Sequence, residues 1–326
     1  MKQLIRDLRA HLRADFRPDL YMATALLLAG LITLNYTLDL EDTYIDSYRG
    51  SWQRPVLYIL FYASIYYAAM GLWTYFHQRL DVWRNPRFWL HTGVGWVAYG
   101  FYAGFYGYNE WSSQLLGGQI YLFAFYCLSN LHSIGTLVLP LFLYYIFIDR
   151  EPSYFYGLKP KREGLEVYAM LMGIMVPVIA IASFESSFMS FYPTYKDTTA
   201  NEYLGVPEWV TALAYELAYG WDFVPTELMF RGFLIIGLAP ILGKSSASSG
   251  QTKTDQPWPG VVLPMVVAYA SIHFGKPLGE TISSIFGGYL LGVLALYTRS
   301  IWGGLLIHGS IAWLMDGAAF LQKWFR

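Results

Sequence analysis

The sequence predicts an all-α, polytopic transmembrane helical bundle of eight or nine spans. Three observations carry this expectation. The chain is 55% hydrophobic and only 14% charged, with a mean hydropathy of +0.33, whereas soluble domains carry about 25% charged residues. Its apolar residues come in long runs rather than in period-two alternation, which selects helices over strands, and a helix needs roughly 20 such residues to cross a bilayer. The 28 Tyr, 21 Phe and 12 Trp suit the membrane–water boundary, where one end of a ring is apolar and the other wet.

Taken in order, the expected spans are 20–38, 55–77, 88–107, 120–148, 165–184, 208–240, 259–274, 281–298 and 301–318. Run 208–240 is long and holds Pro225, so a kink or a division into two segments is expected there. Run 259–274 is short. The N-terminal stretch, with Lys2, Arg6, Arg9, Arg13 and Arg17, is too long and too mixed in charge for a signal-peptide n-region. It reads as a partly amphipathic cytoplasmic lead-in to an uncleaved first span. The basic segments 78–87 and 149–164 belong in the cytoplasm by the positive-inside rule. The acid-rich 39–50 and the largely uncharged or acidic 185–207 belong outside, which puts the N-terminus in the cytoplasm. Segment 243–257, rich in Ser, Gly and Lys, is expected to be a flexible cytoplasmic loop. A net charge of -1 argues against a nucleic-acid partner. The single cysteine, Cys127, can form no intrachain disulfide.

Charge is distributed unevenly among the spans. The first five hold His91, Asn130 and His132 as their main polar residues, and the two histidines read as structural or interfacial. From 208 onward the spans contain Glu216, Asp222, Glu227, Arg231, His273, His308 and Asp316. An ionised side chain at the bilayer centre costs at least about 2.5–3.5 kcal/mol, so several in one region imply pairing, a wet cavity, or both. Glu227 and Arg231 are four apart in Thr226-Glu227-Leu228-Met229-Phe230-Arg231-Gly232, so they share a helix face and can pair. His273 ends the run Tyr269-Ala270-Ser271-Ile272-His273, and His308 opens His308-Gly309-Ser310-Ile311-Ala312 inside the last span. A carboxylate and two imidazoles on three helices can deprotonate a water and stabilise an oxyanion. Two His and one Glu also suffice for a catalytic zinc site. A plainer reading stands beside each. Glu227 with Arg231 makes a structural ion pair, and His273 and His308 are satisfied core histidines. Asp222 then bends or caps the helix near Pro225, and Asp316 faces the end of the bundle. Lys276-Pro277 marks a turn at a membrane face, with Glu280 solvated.

In order and in residue type, these motifs resemble the intramembrane protease family that includes the type II CAAX prenyl endopeptidases and the bacteriocin-processing proteins. That family shows Glu-Glu-x-x-x-Arg, then aromatic-x-x-x-His, then His-x-x-x-Asn/Asp. Glu227, Arg231, His273 and His308 keep this order. The Phe230-Arg231-Gly232 triplet and the Gly-rich run from Phe286 to Leu296, leading through Ser300-Ile301-Trp302 to His308, fit as well. The resemblance covers roughly 205–318, dividing the chain into an N-terminal membrane region of about five spans (1–204) and a core of about four (205–326). Two positions depart from the pattern. Thr226 stands where the family has the first Glu, its proposed general base, and Ala312 stands where it has Asn or Asp. Asp222, one turn before Thr226 and about 40° away on the helical wheel, can bring a carboxylate to the same face. Asp316, one turn beyond Ala312, can replace the second missing group. Glu216 lies eleven residues before Glu227, nearly three whole turns, and can line the same face if Pro225 does not turn it away.

The resemblance implies an intramembrane endopeptidase acting on a membrane-associated peptide or protein, set in a bilayer, with a bacterial cytoplasmic (inner) membrane as the expected compartment. In the implied mechanism Glu227, or Asp222 in its place, activates a water, His273 and His308 stabilise the oxyanion, and Arg231 orders the carboxylates. No tightly held cofactor is expected, while a divalent metal such as zinc on His273, His308 and Glu227 stays open. Thr226 and Ala312 motivate a second reading, a catalytically silent member that binds membrane peptides as a scaffold. A transporter with an intramembrane ionisable cluster is the third, weakened because matching broken helices in two halves are lacking.

Overall fold

A computed structural model describes residues 2–115, 117–150, 154–161, 165–246 and 258–324. Among these, every regular element is helical. This agrees with the physical demand that a chain in hydrocarbon satisfy its own backbone hydrogen bonds, which a helix does within one segment. Residues 247–257, most of the expected flexible loop, lie outside the described residues, as does Arg162 of the expected basic loop 149–164.

Ten helices carry the architecture: α1 Lys2–Asp15, α2 Pro18–Leu38, α3 Gln53–Phe76, α4 Pro86–Gly104, α5 Ile120–Asp149, α6 Leu165–Ala182, α7 Glu208–Gly243, α8 Pro259–Ser271, α9 Leu278–Thr298 and α10 Trp302–Trp324. Seven of them (α2, α3, α5, α6, α7, α9 and α10) are long and apolar enough to cross a membrane. The other two expected spans are also helical. Helix α4 has 19 residues but is diluted by His91, Thr92 and several glycines. Helix α8 is short, and every residue of Val262–Ser271 is buried, so it faces protein on all sides rather than lipid. The long helices expose large apolar side chains, such as Leu26 at 66% and Ile181 at 74%. That is the surface expected of a protein whose solvent is lipid.

The chain packs as two compact units, each built from three stretches. The first comprises 1–104, 136–160 and 227–302, and the second 105–135, 161–226 and 303–326. In the first, α2, α3 and α8 meet in a core of Leu28, Ile65, Ala69, Val267 and Ala270. Helices α3 and α4 approach closely because Gly100 and Gly104 leave room for the backbones of Ile59 and Pro55. In the second, Ile179, Phe188, Tyr192 and Ala319 form a core. The expected irregularity near Pro225 takes a specific form. The α-helix runs to Glu227 with one interruption at Asp222, and Leu228–Gly237 then winds as a ten-residue π-helix, every residue of it buried. The chain passes from the second unit to the first at Thr226–Glu227.

Candidate active site

Within the first unit, the four-residue spacing of Glu227 and Arg231 brings them together. Arg231 Nη1 lies 3.0 Å from Glu227 Oε1 in an ion pair, and the side chains are 1% and 0% exposed. A buried ion pair needs further partners to offset its desolvation. The ring of Tyr269, on α8, supplies one, lying 3.7 Å from Arg231 Cζ. Phe230 in turn packs edge-on against Tyr269 at 5.4 Å. Tyr269 can lie this close to its neighbours because α9 offers Gly288 there: a Cβ at that position would stand 2.9 Å from the tyrosine ring. The Gly-rich run of α9 is therefore a packing device.

His273 follows α8 in a tight turn. Its ring stands 4.8 Å from that of Tyr269, and Nδ1 is 3.0 Å from the Tyr269 carbonyl. A carbonyl only accepts, so Nδ1 is the protonated nitrogen, and a neutral His273 carries its lone pair on Nε2. The hydroxyl of Thr281 donates to the His273 carbonyl at 2.6 Å. Gly275, at φ +81°, provides the left-handed residue that closes the turn. The expected turn at Lys276-Pro277 is present, and Lys276 pairs with Glu280 at 2.7 Å. Glu227, Arg231, Tyr269 and His273 thus form one contiguous set: a carboxylate, a cation that orders it, and an imidazole held in one tautomer.

The remaining candidates belong to the second unit. His308 is half-buried on α10, with its ring 4.6 Å from Phe223. Thr226 donates its hydroxyl to the Asp222 carbonyl at 3.0 Å, the ordinary back-bond of a threonine in a helix. Asp316 is buried and accepts from the Thr194 backbone N–H at 2.9 Å and from the Thr194 hydroxyl, tying the loop after 192 to α10. The backbone carbonyl of Glu216 accepts from Trp313 Nε1 at 3.1 Å, while its two buried carboxyl oxygens have no hydrogen-bond partner among the described residues. The structure therefore joins α7 to α10 at Glu216 through its backbone carbonyl, a contact that helical-wheel reasoning does not supply. Among the described residues, no three His, Cys, Asp or Glu side chains stand together as metal ligands.

One residue read from sequence as merely structural touches the segment that presents Arg231. His91 of α4 stacks on Phe233 at 3.8 Å and 8°, and its Nε2 donates to the Phe233 carbonyl at 3.0 Å. A π-helix is rare and tends to sit at functional sites, and here a side chain from another helix holds one of its carbonyls. No motif marks His91, because its partner is a backbone atom.

Compared with known proteins, residues 203–314 match the family model described as "Type II CAAX prenyl endopeptidase Rce1-like", about a third of the 326-residue chain. At the level of that family the match is to CAAX-type membrane endopeptidases. It spans Glu227, Arg231, His273 and His308. No curated protein and no solved structure matches the chain.

Proposed function

We propose that this integral membrane protein is an endopeptidase that hydrolyses a peptide bond at or within the membrane, using a water activated by Glu227. The observation that carries this reading is the buried Glu227–Arg231 pair stacked on Tyr269 beside His273, inside the segment matched by the endopeptidase family model. Glu227 takes the proton of a water as it attacks the scissile carbonyl. Arg231 fixes the carboxylate through Oε1 and so orients the base. His273, as imidazolium, stabilises the tetrahedral oxyanion through Nε2–H, or as neutral imidazole orders the water. His308 is assigned to the oxyanion as well, and Asp222 is the reserve carboxylate. The compartment proposed is a bacterial cytoplasmic membrane, with the N-terminus in the cytoplasm.

A second reading is favoured by one observation. The Thr226 hydroxyl donates to its own helix and Ala312 is a buried methyl group, so neither position offers a water a base, and only Thr226 offers it an acceptor oxygen. On that reading the protein binds membrane peptides without cutting them.

The deciding experiment incubates purified protein with quenched membrane-adjacent peptides, prenylated and unprenylated, beside Glu227→Gln and His308→Ala. Cleavage by the wild type and its loss in both variants supports the peptidase. Binding of the peptides with no cleavage by any of the three supports the scaffold. A chelator titration of any activity found decides whether a divalent metal held by His273, His308 and Glu227 takes part.

A further inference from the structure

Helix α1 has two faces of different chemistry, and its packing fixes which one points outward. Leu4, Asp7, His11 and Asp15, spaced three or four apart, are buried. Asp15 accepts from Trp73 Nε1 at 2.6 Å and from the Tyr21 hydroxyl at 3.2 Å. His11 packs edge-on against Tyr289 and Tyr297 of α9, with centroids 5.6 and 6.4 Å away. These contacts lock the rotation of the helix. Beside the buried row the helix exposes Ile5 at 39% and Leu12 at 40%, within about 20° of one another at about 100° per residue, and Phe16, just past its end, is exposed at 52%. Beside this apolar strip runs a row of exposed arginines, Arg6, Arg9 and Arg13. Both acids of the helix, Asp7 and Asp15, lie on the buried side; Arg6 reaches Asp7 at 3.2 Å through Nε, and the outward sector itself carries no acid, so it is net cationic.

The level of this helix is also fixed. Arg17 donates to the carbonyl of Phe76, the last residue of α3, and Pro18 opens α2. Two membrane-spanning helices therefore end beside the point where α1 begins to turn away. The loop after α3 adds Arg84 near that end, while its Arg79 is paired with Asp81 at 2.8 Å. An amphipathic helix at the edge of the hydrocarbon, with an apolar strip flanked by arginines, suits a surface that is oily below and anionic above.

We propose that the outward sector of α1 is a docking surface for anionic lipid headgroups of the leaflet on the N-terminal side. Ile5, Leu12 and Phe16 enter the acyl boundary, and Arg6, Arg9 and Arg13 take the headgroup charge. The inference is independent of the peptidase reading.

The test places one reporter cysteine at Leu12 (Leu12→Cys, with Cys127→Ser) in full-length protein in nanodiscs of phosphatidylcholine or of phosphatidylglycerol. The rate of labelling by a water-soluble maleimide is expected to be at least about fivefold slower in phosphatidylglycerol, as about 1 kcal/mol per basic residue allows. The difference should shrink in about 0.5 M salt, where screening is strong. It should vanish in the Arg6→Gln, Arg9→Gln, Arg13→Gln variant. Equal rates in the two lipids, or a difference that the triple variant keeps, would overturn the proposal. So would labelling equal in both nanodiscs but blocked in native membranes, which would assign the surface to a protein partner.

Discussion

Arg231 stacks on the ring of Tyr269 with its Cζ 3.7 Å from the ring centre, while its Nη1 forms an ion pair with Glu227 Oε1 at 3.0 Å. One guanidinium thereby ties a π-helical segment of α7 to the short buried helix α8. Removing the cation alone strands a buried carboxylate. Arg231→Met is expected to lower stability by about 3–5 kcal/mol, and adding Glu227→Leu to recover most of that loss. Thermal unfolding in detergent measures both, and simply additive losses would show that the pair is not coupled.

Thr226 spends its hydroxyl on the Asp222 carbonyl, so the chemistry does not depend on it. Thr226→Val, similar in shape, is expected to change the cleavage rate less than about twofold. A drop of tenfold or more would place that hydroxyl in the reaction. Thr226→Glu restores a carboxylate next to Glu227 and is expected to raise the rate, read in the same peptide assay.

His91 donates to the carbonyl of Phe233 within the π-helical segment. His91→Leu withdraws that donor, and an unsatisfied buried carbonyl costs about 1–3 kcal/mol. Stability and kcat should both fall. His91→Gln, which keeps an N–H at similar reach, should restore part of each. If Leu and Gln behave alike, the hydrogen bond is not what His91 contributes.

Outside the spans, Glu41 in the turn after α2 accepts from the Tyr62 hydroxyl at 3.0 Å. Burial raises its carboxyl from 4.5 to about 8, opposed by the Tyr62 hydrogen bond and reinforced by Asp42 and Asp46. The fold therefore prefers Glu41 neutral. Its favourable contribution is complete below about 4.5 and is lost as pH rises through about 8. The melting temperature should fall across that interval in the wild type, and less steeply in Glu41→Gln, which is neutral throughout. Identical slopes would refute the assignment.

The spans were legible because length and apolarity are local properties, and the Glu227–Arg231 pair was legible because four-residue spacing is a rule of helices. Other features had no such signature. The stacking of Arg231 on Tyr269 joins residues on two helices, and His91 meets a backbone atom 142 residues away. The π register of 228–237 follows no residue pattern, and the contact of Trp313 with the Glu216 carbonyl depends on how α7 packs against α10. The division into interleaved units likewise arises from contacts between distant stretches. Similarity of motifs marks a continuous segment, whereas packing recruits α1–α4 to the unit that holds Glu227.

The most direct test of the central claim is the single-turnover rate of peptide cleavage by Glu227→Gln against wild type, in preparations whose melting curves show both folded at the assay temperature. If Glu227 activates the water, the rate should fall by about 10²–10⁴, the usual contribution of a general base. A fall of less than about threefold in folded protein would contradict the account.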